Sequence, residues 1–354
     1  MTWLNFQLSP YAAHMGIIPE TQVATQPGVQ TRDLISFLSS LKTWSQRSKT
    51  ALYLLRRDQM KGSDYLSPSG FYNACKAYGL PSSIRALDQA AQSATRCFPR
   101  MAFGIAEPIV VNGVTKQGGP MSPFKSTITT SLGHRYLNDI AQGDPDAVVV
   151  SSGSNWTGDP HQPIDSHSLT ITMTEATDDS YLVAKTHEAL RHFTLEMEHF
   201  QFSYGWLTSW AKTSAHVINS PDPPPKTLLF PSVTNKTGID LWTVTEYRIP
   251  VLADEFSFLR TQVDDPKTRY TKLQDTINSF VFPNFSIGTP FTLIWKLVSQ
   301  CIISRCRALL SLQQILHADA CQVPLTTGAQ STGQTPYVMI TVYTDAGHWE
   351  GHEA

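Results

Sequence analysis

The sequence predicts an α+β fold, and three observations lead there. Apolar residues recur at helical spacing in several stretches, the first being Leu34, Phe37, Leu38, Leu41 and Trp44. Elsewhere they alternate with polar residues at period two, as in Ser168-Leu169-Thr170-Ile171-Thr172-Met173. A second strand pattern resumes at Ser180 after a short turn, so the pair is antiparallel. The third is composition: 354 residues, 41% apolar and 16% charged, hold ample material for a buried core. That length suits about two domains of roughly 100–200 residues, or one elaborate domain.

Each element follows from local pattern. Residues 31–48 form an amphipathic helix. Residues 51–55 make a short apolar strand that runs into Arg56-Arg57-Asp58, an awkward pair of charges for the end of a buried strand. A helix over 69–78 stops at Gly79 and Pro81, and another covers 84–95. Asn112-Gly113 between β-branched residues predicts a hairpin turn. The Gly/Pro-rich stretch 117–123 opens a helix that runs to about residue 140. Residues 143–166, rich in Gly, Asp, Ser and Pro, read as a solvated loop. The strand from Ser168 continues through Thr177 to Asp178-Asp179, and 180–184 form its partner. A helix over 187–202, a turn and strand over 206–218, and short strands to about 263 follow. Helices then run to Leu316, with Leu293 and Leu297 in their core, before a Gly/Thr/Gln-rich linker and a last strand over 337–343. No internal repeat is present.

Composition also excludes classes. With 27 Lys+Arg against 29 Asp+Glu, the net charge of −2 and the apolar content rule out a disordered chain. Cys75, Cys97, Cys301, Cys306 and Cys321 form no Cys-x-x-Cys pair, which removes zinc-ribbon and thioredoxin readings and fits reduced intracellular thiols. Residues 1–16 lack a signal-peptide pattern, and Lys296, Arg305 and Arg307 interrupt the most apolar stretch, so no membrane association is expected. A near-neutral sum ordinarily counts against nucleic-acid binding. Phosphate contacts are local, however, and basic residues such as Arg96, Arg100 and Lys125 are available to line a cleft.

Two adjacent aspartates at a hairpin tip admit two readings, a solvated turn or a rigid metal-binding tip. Successive strand residues point to opposite faces, so one acid of the pair would face a given site and a further carboxylate would be needed. Asp58, ending a separate strand, can supply it. His187-Glu188 followed by His192 is no zincin motif, because the second His falls one residue late and about 140° from the first round the helix. The glycines between Gly113 and Gly119 have neither Walker-A nor dinucleotide spacing.

The order of these motifs resembles the reverse transcriptases of non-LTR, LINE-like retrotransposons. Asp58-Gln59-Met60-Lys61-Gly62-Ser63-Asp64 is similar to their D-x-x-K-[AG]-F-D signature. Asn112-Gly113-Val114-Thr115-Lys116-Gln117-Gly118-Gly119-Pro120-Met121-Ser122-Pro123 resembles N-G-V-x-Q-G-x-P-x-S-P, in wording most like fungal copies. Ala176-Thr177-Asp178-Asp179 stands at the [FY]-x-D-D position. Tyr204-Gly205-Trp206-Leu207 with Trp210-Ala211-Lys212-Thr213 resembles G-L-x-x-N-x-x-K-T, and Phe258-Leu259-Arg260 falls at F-L-G. Upstream, Ile18-Pro19-Glu20-Thr21-Gln22 and Pro27-Gly28-Val29-Gln30-Thr31 resemble I-P-x-x-Q…P-G-x-x-T. The likeness covers about residues 15 to 320.

The resemblance implies a right-hand polymerase fold: partial fingers (1–57), a palm with an antiparallel sheet and finger insertions (58–263), and a helical thumb (264–320). Residues 321–354 would be a linker and the first strand of a truncated ribonuclease H-like domain, with Asp345 as its first metal ligand. Only nine residues follow Asp345, so the chain is expected to be a fragment of a larger polyprotein. The implied activity is RNA-directed DNA synthesis on two Mg²⁺ (or Mn²⁺) ions held by Asp58, Asp178 and Asp179, with Asp179 the lesser ligand. Lys61, Ser63, Gln117, Gly118, Gly119 and Pro120 would contact nucleotide and template. Lys212 would be a cation beside the triphosphate, or else a solvated strand-end lysine. Phe256 and Phe258 would brace the primer, or else be ordinary buried aromatics. RNA template, DNA primer and dNTPs are the implied partners, with no stable protein partner, and the implied location is the nucleus. The alternative is a degenerate remnant that only binds RNA or RNA–DNA hybrid.

Three positions depart from the pattern: Ser63 stands where a bulky aromatic excludes a ribose 2′-hydroxyl, Ala176 replaces an aromatic, and Arg260 replaces Gly. Loss of the aromatic at Ser63 predicts weak exclusion of ribonucleotides. Incorporation of rNTPs should fall sharply in Ser63→Phe; strong dNTP selectivity in the wild type would contradict this.

Overall fold

The computed structural model describes residues 2–23, 31–60, 66–93, 95–111, 119–152, 167–176, 179–220, 223–235 and 242–252, with short pieces at 26, at 28–29, at 115 and between 257 and 300. Two compact units result, Met1–Leu34 with Leu41–Asp254, and Ile35–Ser40 with Glu255–Ala354.

In chain order the elements are α1 (Thr2–His14), α2 (Thr31–Ser48), β1 (Leu52–Asp58), α3 (Pro68–Ala77), α4 (Ser82–Gln92), β2 (Thr95–Cys97), β3 (Arg100–Met101), β4 (Gly104–Ile105), β5 (Ile109–Val111) and α5 (Ser122–Ile140). There follow β6 (Val148–Ser152), β7 (His167–Ile171), β8 (Met173–Ala176), β9 (Asp179–Ala184), α6 (His187–Ser203), a 3₁₀ turn (Trp210–Lys212), β10 (Ser214–Ile218), β11 (Thr227–Asn235) and β12 (Trp242–Pro250). The second unit contributes β13 (Ser257–Phe258), β14 (Thr261–Gln262) and α7 (Phe291–Leu297). The chain is thus a mixed α and β structure whose strand pairs are antiparallel, as the sequence predicts.

The first unit is built on a four-stranded sheet in the order β10-β1-β9-β8. Read along the chain, β1, α5, β8, β9, α6 and β10 make a β-α-β-β-α-β succession with the first strand in the middle, the split βαβ arrangement. Strand alternation sends Leu55, Met173, Leu182, Ala184 and Ala215 to one face. There they are buried in one cluster with Leu190, Phe193 and Met197 of α6 and Leu137 of α5. Thr186 starts α6 by accepting from Ala189 N at 3.2 Å while donating to Asp146 at 3.0 Å. Gly133 lets the two helices approach closely, since a Cβ there would lie 2.9 Å from the Phe200 ring. At the β8 edge, residues 21–23 add a short parallel bridge, Val23 N to Glu175 O and Glu175 N to Thr21 O, both 3.0 Å.

Several local expectations change. Val148–Ser152 lies in the stretch expected as a solvated loop, yet it pairs fully with His167–Ile171. The continuous strand expected from Ser168 onward breaks at Thr172, whose hydroxyl donates to Asn138 at 2.6 Å, so its two halves serve different sheets. The helix after Pro81 ends at Gln92, because Thr95–Cys97 is claimed by a ladder with Ile109–Val111. The strands expected to be short include β11 and β12, which pair over nine residues each. Lys125 lines no cleft: it is buried against Asp88 at 2.5 Å. Leu293, expected in a helical core, is 49% exposed on α7. The Asn112-Gly113 turn, the helices beyond residue 300 and the strand over 337–343 lie outside the described residues. No helix among the described residues is long and apolar enough to cross a membrane.

Two described cysteines differ in environment. Burial pushes the Cys75 thiol up to about 12, whereas Cys97 is exposed. Native protein treated with a thiol reagent at neutral pH should therefore label Cys97 quickly and Cys75 only after denaturation. Peptide mass mapping reads the order, and equal rates would contradict it.

Candidate active site

The β1–β9 ladder pairs Tyr53 with Ala184 and continues without a break to Asp58 opposite Asp179. Directly opposed residues of an antiparallel pair project to the same face, with Cβ atoms roughly 4.5–5.5 Å apart. Two residues before Asp58 and in register with Tyr181 stands Arg56, on that same face. Arg57 and its partner Ser180 face the other way, toward the helices. The two acids therefore sit together on the sheet face opposite α5 and α6, at the ends of their strands. Asp179 was expected to be the lesser ligand of its pair; in the ladder it is the residue in register with Asp58.

Lys212 reaches the same place. Its Nζ lies 3.2 Å from Asp58 Oδ2, with Lys212 72% and Asp58 21% exposed. The turn that carries it is stitched to the end of β1: Met60 N donates to Leu207 O and Ser209 N to Asp58 O, both at 2.8 Å, around a Gln59–Thr208 bridge. Trp210 in the same turn donates to Ser232 at 2.7 Å and stacks on Tyr247 at 5.1 Å and 8°. Asp58 Oδ2 itself is shielded from solvent and, among the described residues, is met by the Lys212 ammonium alone.

Behind the acids lies the residue the sequence pattern did not explain. Arg57 is 1% exposed. Its Nη2 lies 2.6 Å from Glu198, 2.5 Å from Gln201 and 2.6 Å from Thr208. Thr208 also donates to Glu198, and Ser232 donates to its other oxygen at 3.3 Å. The end of β1, α6, the segment before Lys212 and β11 thus meet at one buried ion pair. The only hint in the sequence was the oddity of two arginines ending an apolar strand.

Gly119 and Pro120 form the turn into α5, where Gly119 O accepts from Ser122 N at 3.0 Å. Phe258 lies in β13 opposite Thr261, within the second unit. Asp178, Lys61, Ser63, Gln117, Gly118, Phe256 and Arg260 lie outside the described residues. Ala176, directly opposite Asp179, offers only a methyl group beside the acid pair. His187 makes a contact unrelated to metal binding: its ring nitrogen lies 3.1 Å from Leu229 O, and burial lowers its pKa. Among the described residues no group of three or more His, Cys, Asp or Glu converges on a metal site.

No family model matches the chain, and no curated protein matches it. Solved telomerase structures do. Apo telomerase from Candida tropicalis, truncated from its C-terminal domain, aligns with a TM-score of 0.44 at 13% identity, covering 64% of this chain and 41% of that one. Telomerase from the same organism with a TWJ fragment of telomeric RNA gives 0.45 at 11% identity, covering 88% and 47%. The Candida albicans enzyme with the same kind of fragment gives 0.41 at 14%, covering 88% and 48%. The chain spans under half the length of these structures.

The Arg57 cluster predicts a specific stability pattern. Arg57→Met strands the buried Glu198 carboxylate and should cost about 3–5 kcal/mol in urea unfolding. Arg57→Met with Glu198→Leu should recover much of that loss, because no uncompensated charge remains. A single mutant as stable as wild type would contradict the pairing.

Proposed function

We propose that this chain is the core of an RNA-directed DNA polymerase, a nucleotidyltransferase that extends a primer 3′-hydroxyl with deoxynucleotides, of the non-LTR retrotransposon class its motifs resemble. The observation that carries the reading is Asp58 standing opposite Asp179 on the sheet face turned away from α5 and α6, with Lys212 3.2 Å from Asp58. The motif order around these residues supports it.

The residues suit hard divalent cations. Such ions take oxygen ligands, few of them from protein, and Asp58 Oδ2 is a buried carboxylate oxygen whose one near cation among the described residues is the Lys212 ammonium. Asp58, Asp179 and the adjacent Asp178 would hold Mg²⁺ or Mn²⁺. When bound, two such ions lower the pKa of an attacking hydroxyl and neutralise a leaving pyrophosphate. Lys212 is exposed and flexible enough to leave Asp58 for an incoming triphosphate and to donate a proton to the departing pyrophosphate. The backbone ladder fixes the spacing of the two acids independently of substrate, so little reorganisation is needed at the moment of reaction.

A second reading has its own observation. Ala176 leaves the strand position beside Asp179 bare where the resembled family carries an aromatic ring, which suits a remnant that binds RNA without extending a primer.

Primer extension on an RNA template with Mg²⁺ or Mn²⁺ separates the two. Wild type should extend, and Asp58→Asn or Asp179→Asn should lose roughly a thousandfold or more, matching the several kcal/mol a catalytic metal supplies. Lys212→Ala should lose roughly 10²–10⁴-fold, the usual worth of a positioned general acid. Folded wild-type protein that binds RNA but extends nothing with either ion would establish the second reading.

A further inference from the structure

Residues 95–111 form one long two-stranded ribbon away from the sheet. Thr95–Cys97 pairs with Ile109–Val111, and Arg100–Met101 pairs with Gly104–Ile105. Ala106 N donates to Pro99 O at 2.9 Å between the two ladders. The tip turns at Ala102 and Phe103, followed by Gly104 at φ 145°. A lone two-stranded ribbon is at best marginally stable in water and gains from a partner.

The side chains of this ribbon are those a surface normally hides. Phe103 is 92% exposed, Ile105 71% and Phe98 58%. Arg96 and Arg100 are exposed as well, and Glu107 is the ribbon's single acid. Arg96 shares a face with its partner Val110 and Arg100 with its partner Ile105, and exposed Phe98 lies between the two ladders, where the second strand carries one extra residue. The result is a cation–aromatic–cation series along the first strand, with a further ring at the tip.

We propose that this ribbon docks single-stranded RNA, with bases stacked on Phe98 and Phe103 and phosphates paired to Arg96 and Arg100. Stacking on an exposed ring is tolerant of base identity, and flanking cations track the backbone. The pattern suits a strand that must be held without being read. Arginines flanking a ring complement a chain of phosphates and bases. The same residue types also recur at protein interfaces, so a second copy of the chain is the competing occupant the test must separate. The choice of RNA as occupant rests on the polymerase reading above; the ribbon's exposure does not.

Fluorescence anisotropy with a labelled single-stranded RNA of roughly 16 nucleotides, the upper site size for one single-strand module, tests the idea. Four full-length proteins are compared: wild type, Phe98→Ala with Phe103→Ala, Arg96→Gln with Arg100→Gln, and Asp58→Asn. The aromatic pair should weaken binding by about 5- to 150-fold for each base that loses its ring. The arginine pair should reduce the log–log salt slope by about 1.4, at roughly 0.7 per phosphate contact on a single strand. Asp58→Asn should bind like wild type, so loss of catalysis and loss of docking are read separately. All altered ribbon positions are exposed, and unchanged circular dichroism confirms the fold. Ribbon variants that bind RNA like wild type would overturn the proposal, whether or not the protein extends primers. So would unchanged RNA binding combined with loss of self-association in sedimentation, which would assign the ribbon to a second copy of the chain.

Discussion

Arg57 takes a guanidinium into the buried layer beneath α6, and polar side chains converge on its Nη2. A buried charge is tolerable only when it is paired and hydrogen-bonded. Its partners come from α6 and from the segment after it, and Glu198 in turn holds Ser232 on β11. One residue further along β1, on the opposite face, is Asp58. The strand therefore changes from a cation packed under helices to an acid on the other face within a single step. The segment that brings Lys212 to Asp58 is tied to the same ion pair through Thr208.

Two further buried networks repeat this use of polar groups where elements join. Lys125 of α5 pairs with Asp88 of α4, which also accepts from Tyr72 of α3 at 3.1 Å and from Gln92 at 2.6 Å. Burial beside Asp88 pushes the Tyr72 pKa upward and keeps the phenol a donor. His134 of α5 lies 3.0 Å from Glu175 of β8, and Gln22 reaches the same carboxylate at 2.7 Å while also donating to Thr130. Helix α5 takes part in both, and its buried Thr129 and Ser131 return their hydroxyls to the helix's own carbonyls at 2.7 Å. A helix with so much polar burial is specified by partners more than by an apolar stripe.

That difference decides what could be read from the sequence. The strand ending at Asp58, the helix after Pro123, the helix from His187 and the strand over 180–184 all carry local pattern or punctuation, and all are present. Arg57 is different: its partner Glu198 is 141 residues away, and nothing local says that a basic residue will be buried. Lys125 misled for the same reason, since a lysine looks solvated until Asp88 is known to face it. Val148-Val149-Val150 did carry a strand pattern, but the Gly, Asp and Pro around it outweighed a run of only three. Of the site itself, Asp58 and the acid pair were visible as motifs. Their register was not, because which aspartate of the pair opposes Asp58 depends on where the β8–β9 turn closes.

Register is also what joins the core to the site. Six consecutive pairs set β1 against β9, and Leu55 opposite Leu182 lies within the buried cluster. A slip of one residue would turn Leu55 and Arg57 away from the helices and drive Asp58 under them. That would strand Glu198 without its cation and bury a carboxylate with no partner, both of them costly. The five pairs between β1 and β10 resist the same slip from the other side. The acid pair thus needs no contact of its own to stay aligned. Its geometry is inherited from the packing of the opposite face.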